Sequence, residues 1–385
     1  MQNREIGVLG IDASRNRSGG AKAHLVGILS EYKPEKFRFQ KIHLWAYREL
    51  LDLVPNYPWL VKHCPEELSK SIFHQLYWQR FKFAKELKDN NCSIVLNTDA
   101  GTVSKFKPSV TMSRDMLSFE PGEMQRYGFT LSRIRLELLK IIQIKSLKHA
   151  SGSIFLTRHA FETIQRVSGK IKNYALIPHG VGNNFKESRD ISPWPSDSLS
   201  PIKCIYVSPA WRFKHQWQVV RAVELLRNKG LNITLTLVGG GSGKALKDLD
   251  EQVAISDPKN EFVTRLDFVP HDRLPNLLAD SNLFIFASSC ENMPNSLVEA
   301  MAIGLPIACS NRGPMPEILK DAGVYFDPED SQSIAHALSE LAQNFKLRKE
   351  LSHRAKQYSK DYSWSRCSKE TWDFLYKIIG EVSAS

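Results

Sequence analysis

Short apolar runs alternate with amphipathic stretches of helical period along most of this chain, and the rhythm stops once and then starts again. Apolar runs of strand length, each followed by a helix-length segment, are what a parallel sheet wrapped by crossover helices requires. The first half offers strand candidates at Ile6–Ile11, Ile42–Trp45, Ser93–Leu96, Val110–Ser113, Ile154–Leu156 and Ala175–Ile177, with helical patterns over Phe73–Lys88 and Leu131–Lys148. In the second half Cys204–Val207, Thr234–Val238, Phe262–Phe268, Leu283–Ala287 and Pro306–Cys309 alternate with helical stretches at 216–229, 245–255, 272–280 and 296–303. Between the halves, 186–201 is rich in Ser, Pro and Asp and carries no period, as a linker does. A length of 385 residues also exceeds what one core usually organises. The expectation is an α/β chain with an N-terminal domain over 1–185, a linker at 186–201, a C-terminal domain over 202–362, and a terminal helix at 363–385 packing back on the first domain.

No apolar run approaches the roughly 18–20 residues that span a bilayer, and the segment Met1 to Glu5 lacks the apolar core of a secretory signal, so a cytoplasmic protein is expected. The six cysteines are scattered without a C-x-x-C pair or zinc spacing, which reads as reduced structural thiols. Net charge is +11, and all of the excess lies in the first half: residues 1–200 hold 30 Lys and Arg against 19 Asp and Glu, residues 201–385 hold 22 against 22. One-sided basicity points to an anionic partner such as a phospholipid surface, a phosphorylated acceptor or nucleic acid, or simply to a solubilising surface. No nucleic-acid-binding motif accompanies it, so nucleic acid is not expected. Between Arg126 and Lys148 cations are interspersed with Ile and Leu, which fits either a membrane-facing helix or a core helix with a wet back face.

The most specific segment runs from Cys290 to Ala308. An apolar strand ends at Cys290, and a helix capped by Asn295 is expected directly after Pro294. Glu291 lies in the loop and Glu299 near the first helical turn, so both face the mouth above the strand ends, where open α/β sheets bind ligands. The N-terminus of that helix attracts phosphate, and Ser296 adds a hydroxyl donor. Such a site suits a sugar nucleotide. Gly239 to Lys244 fails the P-loop pattern because Ala245 follows the lysine. The lone Asp-x-Asp, Asp248 and Asp250, sits in a lysine-interleaved helical stretch and reads as solvated surface, so no metal site is expected.

The spacing of Glu291 and Glu299 before Gly304-Leu305-Pro306-Ile307 resembles the signature of the retaining GT-B glycosyltransferases, in particular the large family 4. Gly19-Gly20 after the first strand, Ile177 to Val181, Val238-Gly239-Gly240, Phe268-Val269-Pro270 and Gly313 to Glu317 extend the resemblance over most of the chain. It implies two facing Rossmann-like domains with a donor and acceptor cleft between them. It further implies transfer of a hexose from a UDP- or GDP-sugar to a saccharide or lipid-linked acceptor in cell-surface polysaccharide or lipopolysaccharide synthesis, without metal or other cofactor. A GT-B sugar-nucleotide epimerase, or a noncatalytic sugar-nucleotide-binding protein, is the alternative within the same fold.

By that resemblance Glu291 binds donor hexose hydroxyls while backbone amides of Asn292, Met293, Pro294, Asn295 and Ser296 form the segment around hexose and diphosphate, of which Pro294 has no N–H to give. Glu299 holds the ribose diol, for which a carboxylate with two acceptor oxygens is apt. Arg212 and Lys214, after the first strand of the second half, are implied to clamp the pyrophosphate, although their spacing departs from the commonest pattern. Val269 lies where the base is selected, with Gly239 and Gly240 nearby, and Gly19 and Gly20 form a cleft floor that backbone can approach closely. The histidine that many members carry on an interior strand is replaced here within Met112 to Asp115, which leaves Arg114 and Asp115 as sugar or acceptor contacts, or as an ordinary salt-bridged turn. A peripheral place on an anionic inner membrane face is the corresponding expectation for the basic first half.

Overall fold

Every strand pairing in the computed structural model, which describes residues 7–34, 39–197 and 199–383, is parallel. Ile6, at the start of the first strand candidate, lies outside the described residues. Seven strands, β1 (Val8–Asp12), β2 (Lys41–Trp45), β3 (Leu60–His63), β4 (Cys92–Asn97), β5 (Ser109–Met112), β6 (Gly152–Phe155) and β7 (Tyr174–Leu176), form a sheet in the order β3-β2-β1-β4-β5-β6-β7. Six more, β8 (Ile202–Val207), β9 (Ile233–Val238), β10 (Val263–Leu266), β11 (Leu283–Phe286), β12 (Ile307–Ser310) and β13 (Val324–Phe326), form a second sheet in the order β10-β9-β8-β11-β12-β13. Central strands read as continuous apolar runs because helices cover both faces: β11 and β12 are buried at every residue. The edge strands β3 and β10 are only half-buried.

The chain divides into two compact units, residues 1–180 with 363–385, and residues 181–362. The boundary therefore falls at Gly180/Val181, earlier than the composition of 186–201 suggests. That aperiodic stretch lies on the second unit: the Ser192 N–H donates to the Ala279 carbonyl at 2.7 Å, and Trp194 stacks under the Arg348 guanidinium at 3.7 Å. The expected helix over 73–88 is two helices, Ile72–Tyr77 and Phe83–Asp89, joined by a π-helical turn at Trp78–Lys82. β3 and β13 escape the periodicity reading because they span only a few residues at or near sheet edges, where alternation is too short to register. All six cysteines are free thiols.

The terminal helix Trp364–Ser383 packs in the first unit against the helix Gly19–Ser30. Ser368 Oγ donates to the Ile28 carbonyl at 2.9 Å, and Trp372 is fully buried. Close approach depends on Gly27, where a Cβ would sit 2.4 Å from Cδ2 of Trp364. Gly27→Ala should therefore destabilise the first unit by about 1–3 kcal/mol through overpacking, despite alanine's better helix propensity. An unchanged urea midpoint would contradict this contact.

Candidate functional site

Strand order reverses once in each sheet, between β1 and β4 and between β8 and β11, and loops leaving neighbouring strands there diverge to open a crevice. All the second-unit candidates lie on segments that follow strand carboxyl ends. Arg212 and Lys214 follow β8, Gly239 and Gly240 follow β9, Val269 follows β10, and Glu291 to Ser296 follow β11. The structure thus brings residues almost 80 positions apart to one edge, with Lys214 and Glu291 at the reversal itself.

Lys214 Nζ donates to Glu291 Oε1, forming an ion pair whose side chains are 9% and 14% exposed. The ammonium also lies 5.1 Å from the Phe286 ring centroid and 5.4 Å from that of Phe213, so both aromatic walls favour its charge. The two loops are tied below the pair. The Ser289 N–H donates to the Phe213 carbonyl at 2.8 Å, the Tyr206 hydroxyl donates to the Lys214 carbonyl at 2.8 Å, and His215 Nε2 lies 2.9 Å from Ser289 Oγ. His215 sits at φ +46° between the 3₁₀ turn Arg212–Lys214 and the helix Gln216–Asn228, which turns the chain sharply after Lys214. Burial, and then the Glu291 carboxylate, push the Tyr206 phenol well above its usual range and keep it a neutral donor. Arg212 is half-buried in the same 3₁₀ turn.

The helix after β11 spans Asn295–Ile303, so Asn295 is its first residue and not its cap. Pro294 occupies the cap position at φ −82° and ψ 100°, and no side chain caps the helix. Proline's fixed φ starts the helix without a side-chain oxygen, which leaves the first-turn amides for another acceptor. Glu299 lies on this helix and is buried, and its Oε1 pairs with His271 Nε2 at 2.9 Å. That hydrogen bond raises the His271 pKa against the opposing effect of burial. His271 is absent from the sequence reading, although it directly follows the Phe268-Val269-Pro270 run; nothing in the sequence pairs it with a residue on another strand's helix. Val269 is half-buried beside Phe268, which is 81% exposed.

Gly239 is required by geometry. It sits at φ +119°, and a Cβ there would lie 2.7 Å from the Ser208 carbonyl, so only glycine lets the β9 loop meet the β8 loop. Gly240 accepts from the Ala210 N–H at 2.9 Å and continues that seam.

Gly19 and Gly20 adopt no unusual dihedral. They form the first turn of the Gly19–Ser30 helix, capped by Ser18 Oγ accepting from the Ala21 N–H at 3.3 Å, and neither has a positive φ. A Cβ on Gly19 would meet open space, so its value is the room it leaves and not an unusual dihedral. Arg114 and Asp115 follow β5. Arg114 donates to the Ala21 carbonyl at 3.3 Å, and burial pulls its pKa down to about 10. Asp115 accepts from the Leu117 N–H at 2.9 Å and from the Gln143 side chain, with burial raising its pKa. Arg114 thus anchors the glycine helix, and Asp115 is an anchored turn residue. Beside them His24 stacks on His179 at 4.7 Å. Neither His24 ring nitrogen has a hydrogen-bond partner, and burial lowers its pKa well below the usual range. Asp248 pairs with Lys244 and Asp250 with Arg265, so these two carboxylates face different partners.

Residues 189–358 match the model of the family described as glycosyl transferases group 1. Over 118 residues the chain is 31% identical to the O-antigen chain mannosyltransferase B of Escherichia coli, a match that covers 31% of this chain and 31% of that relative. Among solved structures, the sucrose-phosphate synthase of Thermosynechococcus elongatus superposes with a TM-score of 0.74 at 16% identity, covering 98% of this chain and 100% of that one. HepE of Anabaena, solved in complex with UDP, superposes with a TM-score of 0.72 at 18% identity, covering 96% and 99%. At such identities the likeness speaks for the fold: an α/β GT-B chain of two Rossmann-like units.

Lys214→Met strands a carboxylate that is mostly buried, and Glu291→Gln strands the ammonium, so each single change should cost about 3 kcal/mol. The double variant should lose less than the sum, with a coupling of about 0.5–3 kcal/mol. Additive losses in a urea-unfolding cycle would mean that the two side chains do not interact.

Proposed function

We propose, from the match of residues 189–358 to the model of the glycosyl transferases group 1 family, that the protein is a retaining, metal-independent glycosyltransferase using a UDP- or GDP-hexose. The observation that carries this reading is the Lys214–Glu291 pair at the reversal of the second sheet, beside an uncapped helix N-terminus with Glu299 behind it. Lys214, with Arg212 and the amides opening the Asn295–Ile303 helix, supplies positive potential where a diphosphate builds charge on leaving. These groups serve in place of a divalent ion. Glu291 accepts from donor hexose hydroxyls, and Glu299, fixed by His271, accepts from the ribose diol.

In the proposed step the acceptor hydroxyl oxygen attacks the anomeric carbon from the face that the diphosphate leaves. The bond from that carbon to the phosphate oxygen breaks, and the hydroxyl proton passes to the departing diphosphate. Products are a glycoside of unchanged anomeric configuration and a nucleoside diphosphate, and no protein nucleophile takes part. The bound UDP of HepE and the O-antigen role of the Escherichia coli mannosyltransferase support a nucleotide-sugar donor and an acceptor in bacterial cell-surface polysaccharide or lipopolysaccharide synthesis. The first unit is proposed to serve the saccharide or lipid-linked acceptor.

Saturating UDP- or GDP-hexose, at about 100 times its Kd, should stabilise the protein by about 2.7 kcal/mol, unaffected by EDTA. Glu299→Ala should chiefly raise the donor KM, whereas Lys214→Ala should lower kcat by about two orders of magnitude, as loss of a transition-state contact does. Activity abolished by EDTA would remove metal independence, and an inverted product anomer would remove retention. An epimerised donor, or binding without turnover across an acceptor panel, would favour the epimerase or the noncatalytic binding protein.

The proposed location is peripheral, on an anionic membrane at the cytoplasmic face. The helix Leu131–His149 buries only Leu136, Gln143 and Leu147 and turns Leu131, Ile134, Leu138 and Ile141 outward, beyond a fully exposed Phe129. Arg133, Arg135, Lys140, Lys145 and Lys148 accompany that stripe. This apolar face is turned to solvent, the opposite of a core helix with a wet back, and its charge suits an anionic lipid surface. Among the described residues no helix is long and apolar enough to cross a membrane. Vesicles containing phosphatidylglycerol should sediment the protein, and Ile134→Ser/Leu138→Ser should release it; equal retention of both forms would refute the assignment.

A further inference from the structure

On the first sheet, a buried face is polar where a Rossmann-like core is normally apolar. Asn97 lies beside Thr111 in the register of β4 and β5, and Thr111 lies beside Ser153 of β6, with Ser109 two residues away on the same face. All four are buried. Some of this polarity is satisfied internally, since Asn97 Nδ2 donates to Thr111 Oγ1 at 3.1 Å and Ser153 Oγ donates to the Leu147 carbonyl at 3.1 Å. Two atoms are left over. Asn97 Oδ1, on a side chain only 3% exposed, and the buried Ser146 Oγ have no hydrogen-bond partner.

Both residues line a cavity of about 480 Å³ between the 101–108 loop and the helix Leu131–His149. Lys105 and Lys107 from the loop and Lys145 from the helix also line it, and none of the three forms an ion pair. The described lining contains no carboxylate, and Phe106 contributes an aromatic wall. Three unpaired ammonium groups select an anion. A bare phosphate serves the cavity less well, because Asn97 Oδ1 needs a donated hydrogen and a phosphate held by three ammonium groups offers chiefly acceptor oxygens. A ligand with hydroxyls at one end and a phosphate at the other meets both demands, and a volume of this size holds a hexose phosphate.

We propose that this cavity is a binding site for a small phosphorylated polyol, with the phosphate on Lys105, Lys107 and Lys145 and a hydroxyl donating to Asn97. The site lies wholly in the first unit, so it stands apart from the donor reading of the second. A phosphorylated polyol reaches the protein either as a free sugar phosphate or as the headgroup of a phospholipid.

Calorimetric titration of the full chain with glucose 6-phosphate, glucose, inorganic phosphate and glycerophosphoinositol tests the proposal. A phosphorylated polyol should bind at least about tenfold more tightly than glucose or phosphate alone. The variant Lys105→Ala/Lys107→Ala/Lys145→Ala, which alters only exposed side chains, should weaken that binding at least about tenfold while leaving the response to UDP unchanged. Asn97→Leu, checked for an unaltered unliganded Tm, should remove the preference over bare phosphate. Tighter binding of glycerophosphoinositol assigns a lipid headgroup as the source, and tighter binding of glucose 6-phosphate assigns a free metabolite. Absence of saturable binding by every probe, equal affinity in the triple-lysine variant, or displacement by UDP would each overturn the site.

Discussion

Parallel pairing is the constraint from which the rest of this molecule follows. A parallel strand cannot be followed by a tight hairpin, so each strand that is followed by another of its own sheet returns through a crossover, and the segments that leave the strands collect along one edge of each sheet. That geometry lets residues near 210, 240, 270 and 291 share a site although no local contact links them in sequence. In the second sheet the candidate site lies at the β8/β11 reversal, where neighbouring crossovers diverge. Lys214 and Glu291 occupy that gap, and the hydrogen bonds of Phe213, Ser289, Tyr206 and His215 make the two loops one rigid piece.

Each carboxylate at this edge has a basic partner: Glu291 the Lys214 ammonium, and Glu299 the His271 imidazole. A half-desolvated lone ammonium or carboxylate would be expensive, and pairing lets both signs persist near a low-dielectric wall. A diphosphate arriving there must compete with Glu291 for Lys214, and a diol must share Glu299 with His271. Such competition favours ligands carrying both an anion and hydroxyls, since each component releases the partner that the other needs. On the proposed function, this charge pattern favours a sugar nucleotide over either part alone.

Periodicity revealed the sheets because the central strands are buried on both faces and therefore read as unbroken apolar runs. It failed at β3 and β13, where three or four residues at or near an edge carry too little pattern. In the structure Glu291 lies on the loop after β11, Glu299 on the helix that follows that loop, and Gly239 directly after β9, positions that a strand read as an apolar run makes legible. His271 was invisible for the opposite reason: its partner is 28 residues away on another crossover, and single-sequence reasoning has no access to that distance. The cap falls on Pro294, one residue before the expected Asn295, the scale on which helix ends are decided by which carbonyl first accepts a bond.

The two units share a topology but distribute charge differently, and the difference has a structural cause. In the second unit acids and bases balance, and the carboxylates at the carboxyl edge are held by basic side chains. In the first, one Arg114 donor at the carboxyl edge is taken by the glycine helix. Part of the basic excess lies on the Leu131–His149 helix and the 101–108 loop, above a sheet face made of Asn97, Ser109, Thr111 and Ser153. A helix that covers hydroxyls and amides gains little from burying leucines against them, so its apolar residues have less reason to face inward. The outward stripe of Leu131, Ile134, Leu138 and Ile141 and the lysine-rimmed cavity beneath are in that sense two sides of one choice of residues on β4, β5 and β6.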